Sequence, residues 1–176
     1  MHKKSNLKVN STMIQKTKDY IQMNDNSKLA HEMRLRNPVR ERSSISLVPY
    51  TSKYQELYKQ IYNACYHEMR EALDIAPYDF IQDDSFFDSR MNSLYILVKD
   101  GILVGSVALK ENEIDDLIVA PDYQGQGIGR EILLWALDYI SSKPVVLHVA
   151  DWNKRAIRLY KSCGFDITDT FEISLK

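Results

Sequence analysis

The sequence predicts an α/β fold with a mixed, mostly antiparallel sheet, one parallel strand pair, and helices on both faces. Two apolar segments flank Asp100-Gly101, a dipeptide typical of a hairpin turn, so the sheet is expected to be antiparallel there. A third apolar segment leads into a glycine-rich turn and an amphipathic helix, and another apolar segment follows that helix. A strand, a helix and a second strand in succession favour parallel pairing.

The individual elements follow from hydrophobic periodicity. Residues 45–49 predict a short strand. Apolar residues at three- and four-residue steps from Tyr54 to Cys65 predict a helix that Ser52 opens. Residues 74–92, rich in acids and aromatics, predict an irregular or briefly helical segment. The other predicted strands cover residues 93–98, 102–109, 114–119, 144–149 and 165–175 (one or two strands), and the other predicted helices cover 129–141 and 153–163.

Charge and composition divide the chain into an N-terminal extension, residues 1–44, and a domain, residues 45–176. Residues 1–45 carry ten Lys and Arg against four Asp and Glu, a charge of +6, whereas the remainder carries −7. Weak helical spacing over residues 11–23, and an Asn26-Ser27 cap for a helix through Met33, predict a partly helical extension followed by a linker over 37–44. Three interpretations stay open: a solvated appendage, a polyanion anchor and an assembly element that makes a homodimer.

The bulk numbers favour an ordinary cytoplasmic protein. The net charge is −1, which gives no indication of a nucleic-acid partner. No run approaches the roughly 18 to 20 apolar residues of a membrane span. Cys65 and Cys163 lie far apart and lack metal-ligand spacing, so we expect free thiols, a reducing compartment and no metal.

The most informative motif is the glycine-rich turn Gln124-Gly125-Gln126-Gly127-Ile128-Gly129 between a predicted strand and helix. Its glycines leave backbone N–H groups uncovered, and the helix that follows adds the positive end of its dipole, so the turn suits a pyrophosphate. A dinucleotide motif would need glycine where Arg130 stands, and a P-loop would need Lys-Ser or Lys-Thr after the glycines. A glycine-rich turn without a ligand is the remaining alternative.

With Val119, Pro121 and Tyr123 ahead of it, this Gln-x-x-Gly-x-Gly pattern resembles the acyl-coenzyme A loop of the GNAT N-acetyltransferase family. The resemblance covers residues 45–176 and implies the predicted element order, with acetyl-coenzyme A bound beside the parallel strand pair. It implies cofactor contacts from the strand and the loop. The residues so assigned are Leu117, Ile118, Val119, Gln124, Gly125, Gln126, Gly127, Ile128, Gly129 and Arg130.

A second segment, from Asn153 to Phe165, resembles the family's Asn-x-x-Ala-x-x-Leu-Tyr-x-x-x-Gly-Phe pattern at every fixed position. Asn153 and Tyr160 are seven residues apart and project from one face of the predicted helix. The resemblance implies that Asn153 holds the pantetheine arm and that Tyr160 points at the thioester sulfur. A phenol is protonated at neutral pH, so it can protonate the departing thiolate. Tyr160 is otherwise a core aromatic residue of an amphipathic helix.

The base that accepts the amine proton is left open among three residues. Glu113 stands where some histone-type members keep a catalytic Glu, and Asp115 lies on the same strand face by the period of two. His148 stands five residues before Asn153, where some protein-N-terminal acetyltransferases keep a Glu, and imidazole can act as a base near neutral pH. A water chain without a dedicated base is the alternative.

The resemblance implies an N-acetyltransferase that transfers the acetyl group from acetyl-coenzyme A to a primary amine of a small molecule or protein, in a ternary complex. The acids and aromatics around residues 62–84 suit a cationic amine acceptor. The alternative function is a catalytically silent acyl-coenzyme A sensor or scaffold of the same fold.

Overall fold

A single seven-stranded sheet forms the centre of the computed structural model, which describes residues 28–141 and 143–173. The strands lie in the order β2-β3-β4-β5-β6-β1-β7. Their bounds are β1 Leu29–Leu35, β2 Val48–Pro49, β3 Leu94–Lys99, β4 Ile102–Lys110, β5 Glu113–Val119, β6 Val146–Ala150 and β7 Phe165–Glu172. Every neighbouring pair is antiparallel except β5 and β6. The predicted mixed sheet and the predicted β3–β4 hairpin are therefore confirmed.

In the described part of the chain, four α-helices cover the sheet on its two faces. They are α1 Gln55–Ala72, α2 Ser85–Asp88, α3 Ile128–Tyr139 and α4 Lys154–Ser162. One core cluster joins α3 and α4 to residues such as Leu147 and Phe165, and the other joins α1 and α2 to residues such as Leu94 and Ile96. Within residues 28–141 and 143–173, no helix is long and apolar enough to cross a membrane.

The N-terminal segment differs from its prediction. Over Leu29–Met33 the chain is a strand and not the end of a helix, because β1 lies between β6 and β7 and bonds to both. The charged residues Glu32 and Arg34 interrupt the apolar pattern, so periodicity did not predict this strand. Its partners in β6 are more than a hundred residues away along the chain. The division at residue 45 thus leaves out one strand of the sheet. The helix predicted over residues 11–23 lies outside the described part of the chain.

Residues 37–44, which we predicted as a linker, pack against the domain. The N–H groups of Arg36 and Asn37 both donate to Gly164 O at 3.0 Å. A Cβ at Gly164 would lie 1.8 Å from Asn37 O, so the close approach requires glycine there. Ser44 N donates to the Glu131 carboxylate at 2.7 Å, near the start of α3. The segment is therefore a strap across α3 rather than a free connection.

Candidate active site

The groove of the candidate site exists because β5 and β6 separate. Their parallel pairing covers only Glu113 with Val146 and Ile114 with Leu147. Beyond these two pairs β5 continues to Val119 and β6 to Ala150. The predicted contact residues Leu117, Ile118 and Val119 all belong to the part of β5 that is not paired with β6. An elongated ligand with amide groups can take the place of the missing strand contacts.

The glycine turn presents free backbone donors at one end of this groove. Gly125 and Gly127 have φ of 79° and 82°, and a Cβ at either position would meet nothing within 4 Å. Across the described residues, no acceptor contacts the N–H groups of residues 125–129. Gly127 is the N-cap of α3, so these donors stand at the positive end of the helix dipole. The turn has the properties of a pyrophosphate site.

Side chains hold this turn against the strand and against α4. Gln124 Nε2 donates to Val119 O at 3.0 Å, and Arg155 donates to Gln124 Oε1 at 2.9 Å. Gln126 Nε2 donates back to Asp122 O at 3.1 Å. The two glutamines thus fix the loop rather than reach for a ligand.

Arg130 is the exception among the predicted cofactor residues. Its N–H donates to Gly127 O at 3.0 Å. Its guanidinium contacts the Glu41 carboxylate at 2.5 Å and the Ser162 hydroxyl at 3.0 Å, so it holds the strap and α4 instead of facing the turn.

Helix α4 carries the two residues of the second motif. Asn153 is its N-cap, and its Oδ1 accepts the Ala156 N–H at 3.0 Å. This leaves its NH₂ group to donate to a ligand. Tyr160 is 8% exposed, and burial together with the nearby charge of Asp116 raises the pKa of its phenol. Tyr160 therefore keeps its proton at neutral pH, as a proton donor must.

Asp116 is the carboxylate that sequence reasoning missed. It is 9% exposed, accepts a hydrogen bond from Tyr66 Oη at 2.5 Å and contacts Arg90 at 2.7 Å. Burial raises its pKa above the ordinary carboxyl value, while the Tyr66 hydrogen bond and the Arg90 charge oppose that shift. A β-bulge explains the position, because the register with β4 shifts between Ala108 and Leu109, next to Asp115 and Asp116. Asp116 then contacts Tyr66 of α1, and both acids contact Arg90.

The three predicted base candidates fall into two groups. Asp115 shares Arg90 with Asp116, at 2.9 Å, and is partly exposed. Glu113 and His148 lie together, with Glu113 Oε1 2.9 Å from His148 Nδ1, and Glu32 of β1 is 3.9 Å from the other ring nitrogen. Asp116 directly follows the candidate Asp115 in the sequence. Strand alternation places neighbouring residues on opposite faces, so the candidacy of Asp115 did not extend to Asp116.

Aromatic rings from α1, the following loop and α2 form a wall above Asp116 and Arg90, which we call the acceptor wall. It consists of Tyr62, Tyr66, Phe80 and Phe86, whose rings lie 4.6–6.1 Å apart in neighbouring pairs. Arg90 stacks on Phe86 at 4.7 Å. Cys65 stands beside the wall, and its thiol donates to Val119 O at 3.2 Å. Burial raises the Cys65 pKa to about 11, so the thiol is not ionised at neutral pH.

The candidate site thus combines a separated parallel strand pair, an open glycine turn and a buried tyrosine. The sequence pattern of the acetyltransferase (GNAT) family matches residues 55–165, more than half of the chain. The chain belongs to this family.

Its relatives include enzymes with different acceptors. A spermidine N(1)-acetyltransferase of Vibrio cholerae is 42% identical over 53 residues, 28% of this chain and 31% of that protein. A [ribosomal protein bS18]-alanine N-acetyltransferase of Escherichia coli is 38% identical over 66 residues, 36% of this chain and 45% of that protein. The matches thus span less than half the length of these curated relatives.

The fold has solved counterparts. A GNAT-family acetyltransferase from Colwellia psychrerythraea superposes with a TM-score of 0.64 at 15% identity, over 89% of this chain and 62% of that one. At this identity the likeness concerns the fold alone.

Proposed function

We propose that this protein is an acetyl-coenzyme A-dependent N-acetyltransferase that acetylates a primary amine of a small molecule or protein. The observation that carries the proposal is the alignment of three parts along one groove: free N–H donors of residues 125–129, separated strands β5 and β6, and the buried phenol of Tyr160. The diphosphate of the cofactor would lie on the turn, and its pantetheine arm would replace the missing β5–β6 contacts. The Asn153 amide is placed to donate to that arm.

The chemistry follows from the groups around the thioester. The amine nitrogen attacks the thioester carbon, and a backbone N–H near Ile118 or Val119 stabilises the oxyanion. The C–S bond then breaks, and Tyr160 protonates the leaving thiolate. Asp116 accepts the proton that the amine loses, directly or through water, because it is the buried carboxylate whose charge acts on Tyr160. Direct attack is favoured over an acyl-enzyme because Cys65 remains a protonated thiol.

The acceptor is proposed to be a cationic amine. Asp115 and Asp116 share the single guanidinium of Arg90, so the cluster has a net negative charge beneath the acceptor wall. Carboxylates and aromatic faces together attract an ammonium group. The two free cysteines, Cys65 and Cys163, also lead us to infer a reducing, cytoplasmic setting.

Thiol release from acetyl-coenzyme A tests the proposal. We would supply spermidine, lysine amide and a peptide with a free N-terminal alanine, and follow free coenzyme A with a thiol reagent. Turnover with any of them, above the rate without protein, supports the enzyme. Submicromolar cofactor binding without turnover on a broad amine panel would favour the sensor or scaffold instead, and absence of cofactor binding would refute both.

A further inference from the structure

Lys28, the first described residue, lies beside the loop that leads to the acceptor wall. Lys28 Nζ donates to Asp74 O at 3.0 Å, in the loop that follows α1 and leads to the acceptor wall. The neighbouring Leu29 O accepts the Asp151 N–H at 2.8 Å, two residues before the Asn153 cap of α4. Lys28 and Leu29 therefore connect the turn before α4 to the loop that follows α1 and leads to the acceptor wall. Whatever precedes it in the chain is covalently attached at this point.

The preceding 27 residues are rich in the side chain that such a site would modify. They contain five lysines, Lys3, Lys4, Lys8, Lys16 and Lys18, against the two acids Asp19 and Asp25. Lys18 is ten residues from Lys28, a chain length that can span up to about 33 Å. Lys18 and Lys16 are therefore the lysines of the segment that lie nearest to the point of attachment along the chain.

Charge complementarity favours the same occupant. The segment has an excess of positive charge, and the site offers the Asp115–Asp116–Arg90 cluster below an aromatic wall. A tethered amine also meets the site at an effective concentration that is typically millimolar for a short connection. A lysine of this segment thus competes well with a free amine at micromolar concentration.

We propose that the protein acetylates lysines of its own residues 1–27, within the same molecule and at Lys16 and Lys18 first. This inference rests on the proposed acetyltransferase function and names one substrate of that site. The neutral Nζ attacks the thioester carbon, a C–N bond forms as the C–S bond breaks, and the displaced thiolate takes up a proton to leave free coenzyme A. Each transfer removes one positive charge from the segment.

The test incubates the full chain with acetyl-coenzyme A and no other amine, and maps acetylated lysines by peptide mass spectrometry over time. Tyr160→Phe is the control for chemical acetylation without the enzyme. A variant with Lys16→Arg and Lys18→Arg keeps the charge but cannot be acetylated there. We expect modification at Lys16 and Lys18 at least ten times faster than at Lys99 and Lys110, near the ends of the β3–β4 hairpin. The fraction modified per minute should stay constant over a hundredfold range of protein concentration.

Three outcomes overturn the inference. Acetylation spread evenly over surface lysines, or equal in Tyr160→Phe, would be chemical and not enzymatic. A fractional rate that rises in proportion to protein concentration would mean transfer between molecules. Unmodified Lys16 and Lys18 in a sample that releases thiol with spermidine or lysine amide would refute the inference and leave the proposed function intact. A sample without turnover on any amine would fail at the level of the proposed function.

Discussion

Tyr160 combines burial, a raised pKa and a neighbouring carboxylate, and these features suit a group that must hold a proton until the thiolate departs. Tyr160→Phe removes only the hydroxyl, so we expect kcat to fall by about 10²–10⁴, the usual contribution of general acid catalysis. The affinity for acetyl-coenzyme A should change little. Steady-state kinetics and calorimetry measure the two quantities separately.

Tyr139→Phe is the matched control for this prediction, because Tyr139 is an exposed tyrosine whose hydroxyl bonds to Tyr95 away from the groove. It should leave kcat unchanged. Equal kcat in Tyr160→Phe and the unmodified protein would remove Tyr160 from the chemistry.

Asp116 leads to a pH prediction. Its pKa is raised in the folded protein, so the carboxylate fraction falls as pH drops through a value above the ordinary carboxyl range. If Asp116 accepts the amine proton, kcat/KM should decline on the acid side around that raised pKa. Asp116→Asn should lower kcat at least about 100-fold and abolish this acid limb, because the amide cannot take up the proton.

Asp115→Asn provides the comparison, since Asp115 touches the same Arg90 but is more exposed. It should keep the acid limb and most of kcat. Thermal melts of both variants check that the fold is retained. If Asp115→Asn and not Asp116→Asn loses the limb, the base is Asp115.

At the scale of elements, substitutions at two glycines, one inside the glycine turn and one outside it, distinguish an effect on cofactor binding from an effect on stability. Gly127 and Gly101 have nearly the same φ, 82° and 80°, and a Cβ at either site meets nothing within 4 Å. Alanine at either position should therefore cost about 1–2 kcal/mol of stability through its backbone conformation. Only Gly127→Ala alters the donors of the turn, so it alone should weaken acetyl-coenzyme A binding, by about tenfold or more.

Melting temperatures of the two glycine variants measure the loss of stability, and calorimetry measures the affinity for acetyl-coenzyme A. Equal cofactor affinity in Gly127→Ala and Gly101→Ala would show that the turn does not hold the cofactor.

The elements also show how far local pattern reaches. The turn, the Asn153 cap and the strand–helix–strand order follow from short-range signals, and all three are present. Three features depend on contacts distant in sequence and were not predicted. They are the position of β1 between β6 and β7, the strap held by Gly164, and the bulge beside which Asp116 contacts α1. The separation of β5 from β6 is implied by the family resemblance and not by the strand pattern, because the sequence of an apolar strand is the same whether its edge is paired or open.

The whole molecule joins its two halves through the groove. β5 is continuous with the hairpin sheet, whereas β6 continues through β1 to β7, and the strand pairing between β5 and β6 covers two residue pairs. A ligand that bridges β5, the glycine turn and α4 should therefore stabilise the entire domain. Among residues 28–141 and 143–173, β7 has no strand partner on its outer side, and a homodimer stays a prediction that light scattering would check.

Acetyl-coenzyme A at 100 times its Kd should raise the free energy of unfolding by about 2.7 kcal/mol. For a chain of this size that corresponds to an increase in Tm of roughly 5–11 °C. Free coenzyme A should give a comparable shift, since it retains the diphosphate and the pantetheine arm, whereas adenosine should not, because it lacks both groups. Differential scanning fluorimetry with the three ligands at equal concentration measures the effect. A shift with adenosine equal to that with acetyl-coenzyme A would mean that the glycine turn and the separated strands are not what the ligand contacts.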